Sequence, residues 1–308
     1  MRQPSTSASG DRIAALLVTG HDHFHHRWRH AAALTRETLE ASGRFSVTAT
    51  EAPQTMTSET LAPYDCLLVS YFGARVPGEH ELRWGSRAEA ALFDFVRGGG
   101  GVVLLHTTFA MGTTWNDAHG DELLRLAGGL LGPESRRAPG ERFVVSVEDP
   151  THPITQGLPP TWEQAIDDKF VQLRWHAEAS PHVLVTVEDE PEAYLGGAYY
   201  AVLGLPGPPL ATEDEVRRLP GVGERHPVAW TNEFGRGRVF ALMLGHVGAS
   251  TIEDARASLE SGREVGPTID VAARTPGYVG LLVRGTEWAA TGSVTLPPTT
   301  VSGGRPSS

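Results

Sequence analysis

The chain has 308 residues, of which 40 % are hydrophobic and 20 % charged, and it carries a formal net charge of −11. That composition suits one large globular α/β domain or two small ones. It argues against a nucleic-acid binder, since no Lys/Arg run exceeds two residues. No apolar stretch approaches the ~20 residues that span a bilayer, so no membrane partner is expected. The single cysteine, Cys66, excludes an intrachain disulfide and fits a reducing compartment. Residues 1–11 are polar and show no apolar signal core, so the expected location is the cytoplasm. Residues 1–11 and the Thr/Pro/Ser/Gly-rich 291–308 read as disordered tails around a domain over 12–290.

Within that domain, Ile13 to Thr19 is a continuous apolar run ending in Gly20, the pattern of a buried parallel strand. A helix is expected from about 27 to 41, stopped by Gly43. Phe45–Thr50 alternates and is β-branched, so it reads as a second strand, and Tyr64–Tyr71 as a third. Ala88, Leu92, Phe95 and Val96 then share one face of a helix, with Ser86 expected to cap its start and Gly98 its end. Four consecutive glycines lead into a fourth strand, Val102–Leu105, ending at His106. Later strands are expected at 143–147, 183–187, 228–231 and 239–244, and a terminal amphipathic helix around 278–289. This order predicts an α/β fold with an open, mostly parallel sheet and helices on both faces. Residues 195–225 read as a Gly/Pro-rich surface excursion, and 249–276 as a long loop with some helix.

Histidines follow several of these strands. His21, His23, His25 and His26 come after the first, His106 after the fourth, and His246 after the strand near 239–244. In open α/β sheets ligands bind beyond the carboxyl ends of the strands, so three strands deliver imidazoles to that edge. Imidazole there serves either as a ligand for zinc or a similar metal or as a proton carrier near neutral pH. The cluster at 21–25 can equally be a solvated loop, and no established zinc spacing is present. Asp167 and Asp168 supply a candidate general base or metal ligand, with Asp167 preferred, although a hydrated turn explains them equally. Trp28 and Trp115 are candidates for stacking on a sugar ring, against the commoner role of core tryptophan. Arg238 is a candidate for binding a polyhydroxylated or anionic ligand, or a turn arginine. Cys66 lies inside an apolar strand, where a thiol is usually inert. The 98–101 glycines precede a strand rather than a helix, so no nucleotide cofactor is expected.

Taken together, several segments resemble the ThuA-like (trehalose-utilisation) family. His26, Trp28 and Arg29 fall on its Tyr-His-Pro-Trp-Arg segment, with His25 where tyrosine is usual. Phe93 through His106 is similar to its glycine-rich strand ending in His, and Glu148 through Pro159 matches closely. Asp167-Asp168-Lys169-Phe170 resembles its Asp-Glu-Leu-Tyr element, and His226–Thr231, Gly235–Phe240, Leu244-Gly245-His246 and Arg284–Ala289 complete the order. The resemblance covers about 13–290. It implies a flavodoxin-like fold related to class I glutamine amidotransferases. Those enzymes carry a nucleophilic cysteine at the turn where this chain has His106, so amidotransferase chemistry is not expected. It further implies a carbohydrate partner, trehalose-related or 3-keto sugars, and a divalent metal (Zn or Mn) on His26, His106 and His246. His106, Asp167 and His246 would be catalytic, and His26, Trp28, Trp115 and Arg238 would bind substrate. A non-catalytic sugar-binding or regulatory module is the alternative, and homo-oligomerisation stays open. The chain departs from the pattern after Gly128-Gly129, where the family often has a histidine, and His119 is a candidate stand-in.

Overall fold

The computed structural model describes residues 12–20, 26–71, 83–113, 115, 117–195, 200–201, 212–261 and 263–298. Its centre is a nine-stranded sheet. Ile13–Val18 (β1), Phe45–Thr50 (β2), Cys66–Val69 (β3) and Gly101–Leu105 (β4) pair in parallel in the order β2-β1-β3-β4. β1, β3 and β4 are buried almost throughout, as strands covered on both faces must be. Helices Trp28–Ala41 (α1) and Pro276–Thr291 (α5) pack together on one face, and Ser86–Arg97 (α2) and Ala118–Ala127 (α3) on the other. Ser86 is the first helical residue of α2 and not its cap. Gly85 holds the cap position at φ 86° without a side-chain bond.

The parallel series ends for a local reason. Gly237–Leu242 (β11) lies parallel beside β4, but a two-residue turn, Gly235-Arg236, joins it to Arg225–Phe234 (β10). A hairpin this tight joins only antiparallel strands, and Gly235 at φ 64° supplies the positive φ that such turns need. His182–Glu188 (β9), Arg142–Val147 (β6) and Thr161–Ala165 (β7) then continue the sheet as an antiparallel wing, in the order β11-β10-β9-β6-β7.

A small second sheet pairs Arg136–Ala138 (β5) with Lys169–Val171 (β8) and Tyr200–Ala201. Strand alternation divides its side chains. Ala138 and Val171 join Tyr194 and Val216 in a separate small core, where buried Arg136 bonds Asp189 and the Tyr194 hydroxyl. Buried Lys169 donates to Glu188 O. In its described part the 195–225 segment therefore carries core residues as well as surface. Within 249–276, Ile252–Ser261 forms a helix (α4), and Gly248–Ala249 pairs with Thr268–Ile269.

The C-terminal stretch is a partial correction to the expected tail. The Glu287 carboxylate accepts from Thr295 N and Oγ1, from Leu296 N and from Arg44 Nε, while Arg284 donates to Leu296 O. Residues 292–298 are thus tied to α5 through two of its buried charged side chains. Among the described residues, no helix is long and apolar enough to cross a membrane.

Candidate metal centre at the carboxyl edge

Four side chains from separate segments meet beyond the carboxyl ends of β1, β4 and β11. They are His26, His106, Asp168 and His246, with one ligating atom of each lying within 4.8 Å of all the others. Asp168 Oδ2 is the hub. It stands 3.1 Å from His246 Nδ1, 3.5 Å from His106 Nε2 and 3.8 Å from His26 Nε2. The three ring centroids are 5.2–5.5 Å apart with steep interplanar angles, so the rings converge edge-on and do not stack. The side chains are only 5–11 % exposed.

Each is placed by local chemistry. His106 sits on the sharp turn from β4 into a 3₁₀ segment, at φ 32°, a conformation rare for a residue with a Cβ. Such strain persists where surrounding contacts over-determine it. One of those contacts joins its Nδ1 to Met243 O at 2.7 Å. A carbonyl can only accept, so Nδ1 carries a proton; in the neutral ring that leaves Nε2, the atom facing Asp168, as the lone-pair nitrogen. His246 follows Gly245, whose φ is 103° and where a Cβ would lie 2.3 Å from the Tyr278 ring. Only glycine lets the chain turn there under α5. His26 bridges Gly248, and the next residue anchors it: buried Arg27 donates to Ser258 Oγ and Val265 O, and its own N–H to Val247 O. The 249–276 segment is therefore the clamp that holds His26 in place.

Asp168, and not Asp167, is the carboxylate of the cluster. Both Asp167 oxygens are occupied elsewhere: Oδ1 by the N–H groups of Asp168 and His246, Oδ2 by Gly245 N and Gln164 Nε2, all at 2.8–2.9 Å. Asp167 is a positioning residue that ties the 245–246 turn to the segment carrying Asp168. Ile166, at φ 52°, turns the chain into this segment, and as adjacent residues the two carboxylates point in different directions. Gln164 extends the brace, donating to Ala272 O and accepting from Thr275 Oγ1 at the start of α5.

Other expected site residues lie elsewhere. Trp115 is buried in the main core, edge-on to Trp84 with Arg83 over its ring, so it has no open face for a sugar. Arg238 belongs to the opposite edge of the sheet, where it donates to the carbonyls of Trp288, Ala289 and Ala290 and so caps α5. Trp28 opens α1 with Arg29 stacked 4.0 Å over its ring. His119 pairs with Glu89 at 2.6 Å in a network with Arg83, and does not join the cluster. Cys66 is buried and burial pushes its thiol pKa up, so it is an inert core residue. His21, His23 and His25 lie outside the described residues.

Burial opposes ionisation of Asp168, yet His246, Arg137 and His106 around it hold its carboxyl well below the usual range. Arg137 Nη2 is 2.5 Å from Oδ1 as an ion pair without hydrogen-bond alignment, which leaves that oxygen's hydrogen-bonding capacity unused. Burial lowers the pKa of His246 below its ordinary 6.5, despite the carboxylate beside it. Its folded form therefore takes a proton less readily than the unfolded chain. The stability this contributes is complete above about pH 6.5 and is lost as pH falls through the lower folded-state value. In the metal-free protein, the denaturant midpoint is expected to fall more steeply below that pH in the wild type than in His246→Gln. Parallel pH profiles for the two would contradict it.

A cavity of ≈ 20 Å³, room for about one water, lies behind His26 and His106 beside Ser70, Thr107 and Tyr278. A larger groove of ≈ 680 Å³ runs along the opposite edge, past His152, His182, Phe234 and Trp288. It does not include the four-residue cluster.

An α/β protein with a buried three-histidine, one-aspartate centre at the carboxyl edge of a flavodoxin-like strand order is the class that fold and site define. The chain belongs to the ThuA family: the family model described as trehalose utilisation matches residues 14–259. Among solved structures, it is similar to a ThuA-like protein from Parabacteroides merdae, 24 % identical, with 92 % of each chain covered and a TM-score of 0.64. A ThuA-like protein from Bacteroides uniformis is 16 % identical, with 96 % of this chain and 97 % of that one covered and a TM-score of 0.55. A cytoplasmic protein from Salmonella typhimurium is 12 % identical, covering 90 % and 98 %, with a TM-score of 0.52. These likenesses show a shared fold. No curated protein matches the chain significantly.

Proposed function

We propose that this chain is a metal-dependent enzyme of carbohydrate metabolism, acting on trehalose-related or 3-keto sugars. The observation that carries the reading is the convergence of His26, His106, His246 and Asp168 on one buried point. Two features fit a cation there. His106 Nε2 is buried without a hydrogen-bond partner, and in the neutral ring its lone pair faces a carboxylate oxygen 3.5 Å away. Two electron-rich atoms held this close call for a cation or a proton between them. Three imidazoles and one carboxylate suit zinc, and also manganese. The family's description supports a sugar as substrate.

A divalent ion held there would supply Lewis acidity toward a carbonyl or hydroxyl oxygen. The chain's own residues do the rest. Met243 O fixes the His106 tautomer, as a carbonyl behind a metal-binding histidine commonly does. The Arg27 clamp and the Asp167 brace hold His26 and His246. If no ion is used, the same imidazoles remain placed to move protons. No cysteine stands at the turn occupied by His106, so the proposal excludes glutamine hydrolysis by a thiol nucleophile. A cytoplasmic location is part of the proposal, since a reducing compartment suits the free thiol of Cys66.

The test is to follow trehalose and 3-keto-trehalose by NMR with the full chain, with zinc, with manganese and with a chelator. Metal-dependent conversion is the expected result. Saturable binding without conversion would make the chain a binding module, and neither binding nor conversion would overturn the sugar reading.

A further inference from the structure

We propose that Arg137 and Phe170 form the substrate-recognition wall of this centre, Phe170 as platform for the apolar face of a sugar ring and Arg137 as donor to one of the sugar's hydroxyl or oxo oxygens. The inference rests on the carbohydrate reading above. It starts from register: Arg137 and Phe170 are direct partners across the β5–β8 ladder, so their side chains share one face of the small sheet. Alternation tells which face. Arg136 and Ala138 on one strand, and Lys169 and Val171 on the other, point into the small core. Arg137 and Phe170 must therefore point the other way, and their contacts agree. Arg137 reaches Asp168 Oδ1, and the Phe170 ring lies 6.3 Å from that of His106.

Accessibility separates this pair from the cluster. The Arg137 side chain is 32 % exposed against 5–11 % for the four converging residues, and Phe170 is half-buried. A ligand approaching the centre from this side meets the guanidinium and the ring before the imidazoles. The two are chemically complementary to a carbohydrate. An aromatic face packs against the C–H groups of a pyranose, and a planar fork of N–H donors suits a hydroxyl, an oxo oxygen or an alkoxide. Of the stacking residues expected from sequence, Trp115 is buried in the core, and Trp28 is half-buried with Arg29 over one face of its ring.

The test is calorimetric titration of the zinc-loaded full chain with trehalose and with 3-keto-trehalose, alongside separate measurement of zinc affinity and thermal midpoint. Phe170→Ala is expected to weaken sugar binding about tenfold and Phe170→Tyr to restore it, because the platform returns. Arg137→Lys keeps the charge beside Asp168 but loses the fork, and is expected to weaken sugar binding about tenfold with zinc affinity nearly unchanged. Equal sugar affinity in wild type and Phe170→Ala would overturn the platform. Parallel loss of zinc and sugar in Arg137→Lys would show that Arg137 acts only through Asp168, and would overturn its recognition role. If the wild type binds zinc but neither sugar, the carbohydrate reading itself falls and this inference with it.

Discussion

His106→Ala is expected to empty the protein of divalent metal while leaving its fold intact. Purified wild type should carry zinc or manganese near one equivalent by inductively coupled plasma mass spectrometry, and the variant close to none. Losing a residue behind a ligand typically costs about 10–100-fold in metal affinity, so losing a ligand should cost at least about 100-fold. Asp168→Ala should behave in the same way, because Asp168 Oδ2 is the atom nearest all three imidazoles. The folding cost of His106→Ala is smaller, since the lost side chain makes one bond to protein, at Met243 O, and its Nε2 makes none. Metal retained in both variants would show that the four side chains do not form the binding site. Wild type without metal even after reconstitution would shift the chemistry to proton transfer by the same imidazoles.

Asp167→Ala is expected to be the most destabilising single substitution at the site, although Asp167 is not one of the converging ligands. Four donors lose their acceptor at once: the N–H groups of Asp168, Gly245 and His246, and Gln164 Nε2. A buried donor left unsatisfied costs about 1–3 kcal/mol, and relaxation keeps neighbouring losses from adding fully. A total near 4 kcal/mol follows, or a thermal midpoint lower by about 6 °C for a chain of 308 residues. Asp167→Asn should lose less, because one oxygen still accepts while the amide nitrogen faces a donor. Both should also weaken metal binding, since the 245–246 turn carries His246. The check is differential scanning calorimetry of the metal-free proteins, which removes any contribution from bound ion. A midpoint within about 2 °C of wild type for Asp167→Ala would refute the bracing role.

These two outcomes bear on how far the amino-acid sequence alone could be read. Strands β1 to β4, β11 and the helices α1, α2 and α5 were legible because each buries one periodic apolar face or one unbroken apolar run. Such patterns are local: Ile13–Val18 and Gly101–Leu105 are buried strands whatever lies beside them. The imidazoles of His106 and His246 were legible for a related reason. Each follows an apolar run directly, and the edge where such runs end is where open α/β sheets bind ligands. The antiparallel wing needed one more step. Strands near 228–231 and 239–244 were expected, but only the two-residue turn at Gly235-Arg236 forces them antiparallel.

Long-range contacts decided the rest. Asp167 and Asp168 are neighbours of identical chemistry, and no local pattern says which faces the imidazoles. The donors from residues 245–246, nearly 80 positions away, settle it. Period two within Asp168-Lys169-Phe170 does hint that Asp168 and Phe170 share a face, but nothing nearby shows what that face meets. Arg238 reads as a binding arginine until the carbonyl end of α5 arrives to occupy it, and Trp115 as a stacking ring until Trp84 and Arg83 cover it. Arg137 carried no signal of its own, because its partner comes from a strand some thirty residues later. Burial patterns follow from residues a few positions apart and are written along the chain. Which polar atom meets which depends on segments brought together from far apart, and only the folded molecule decides it.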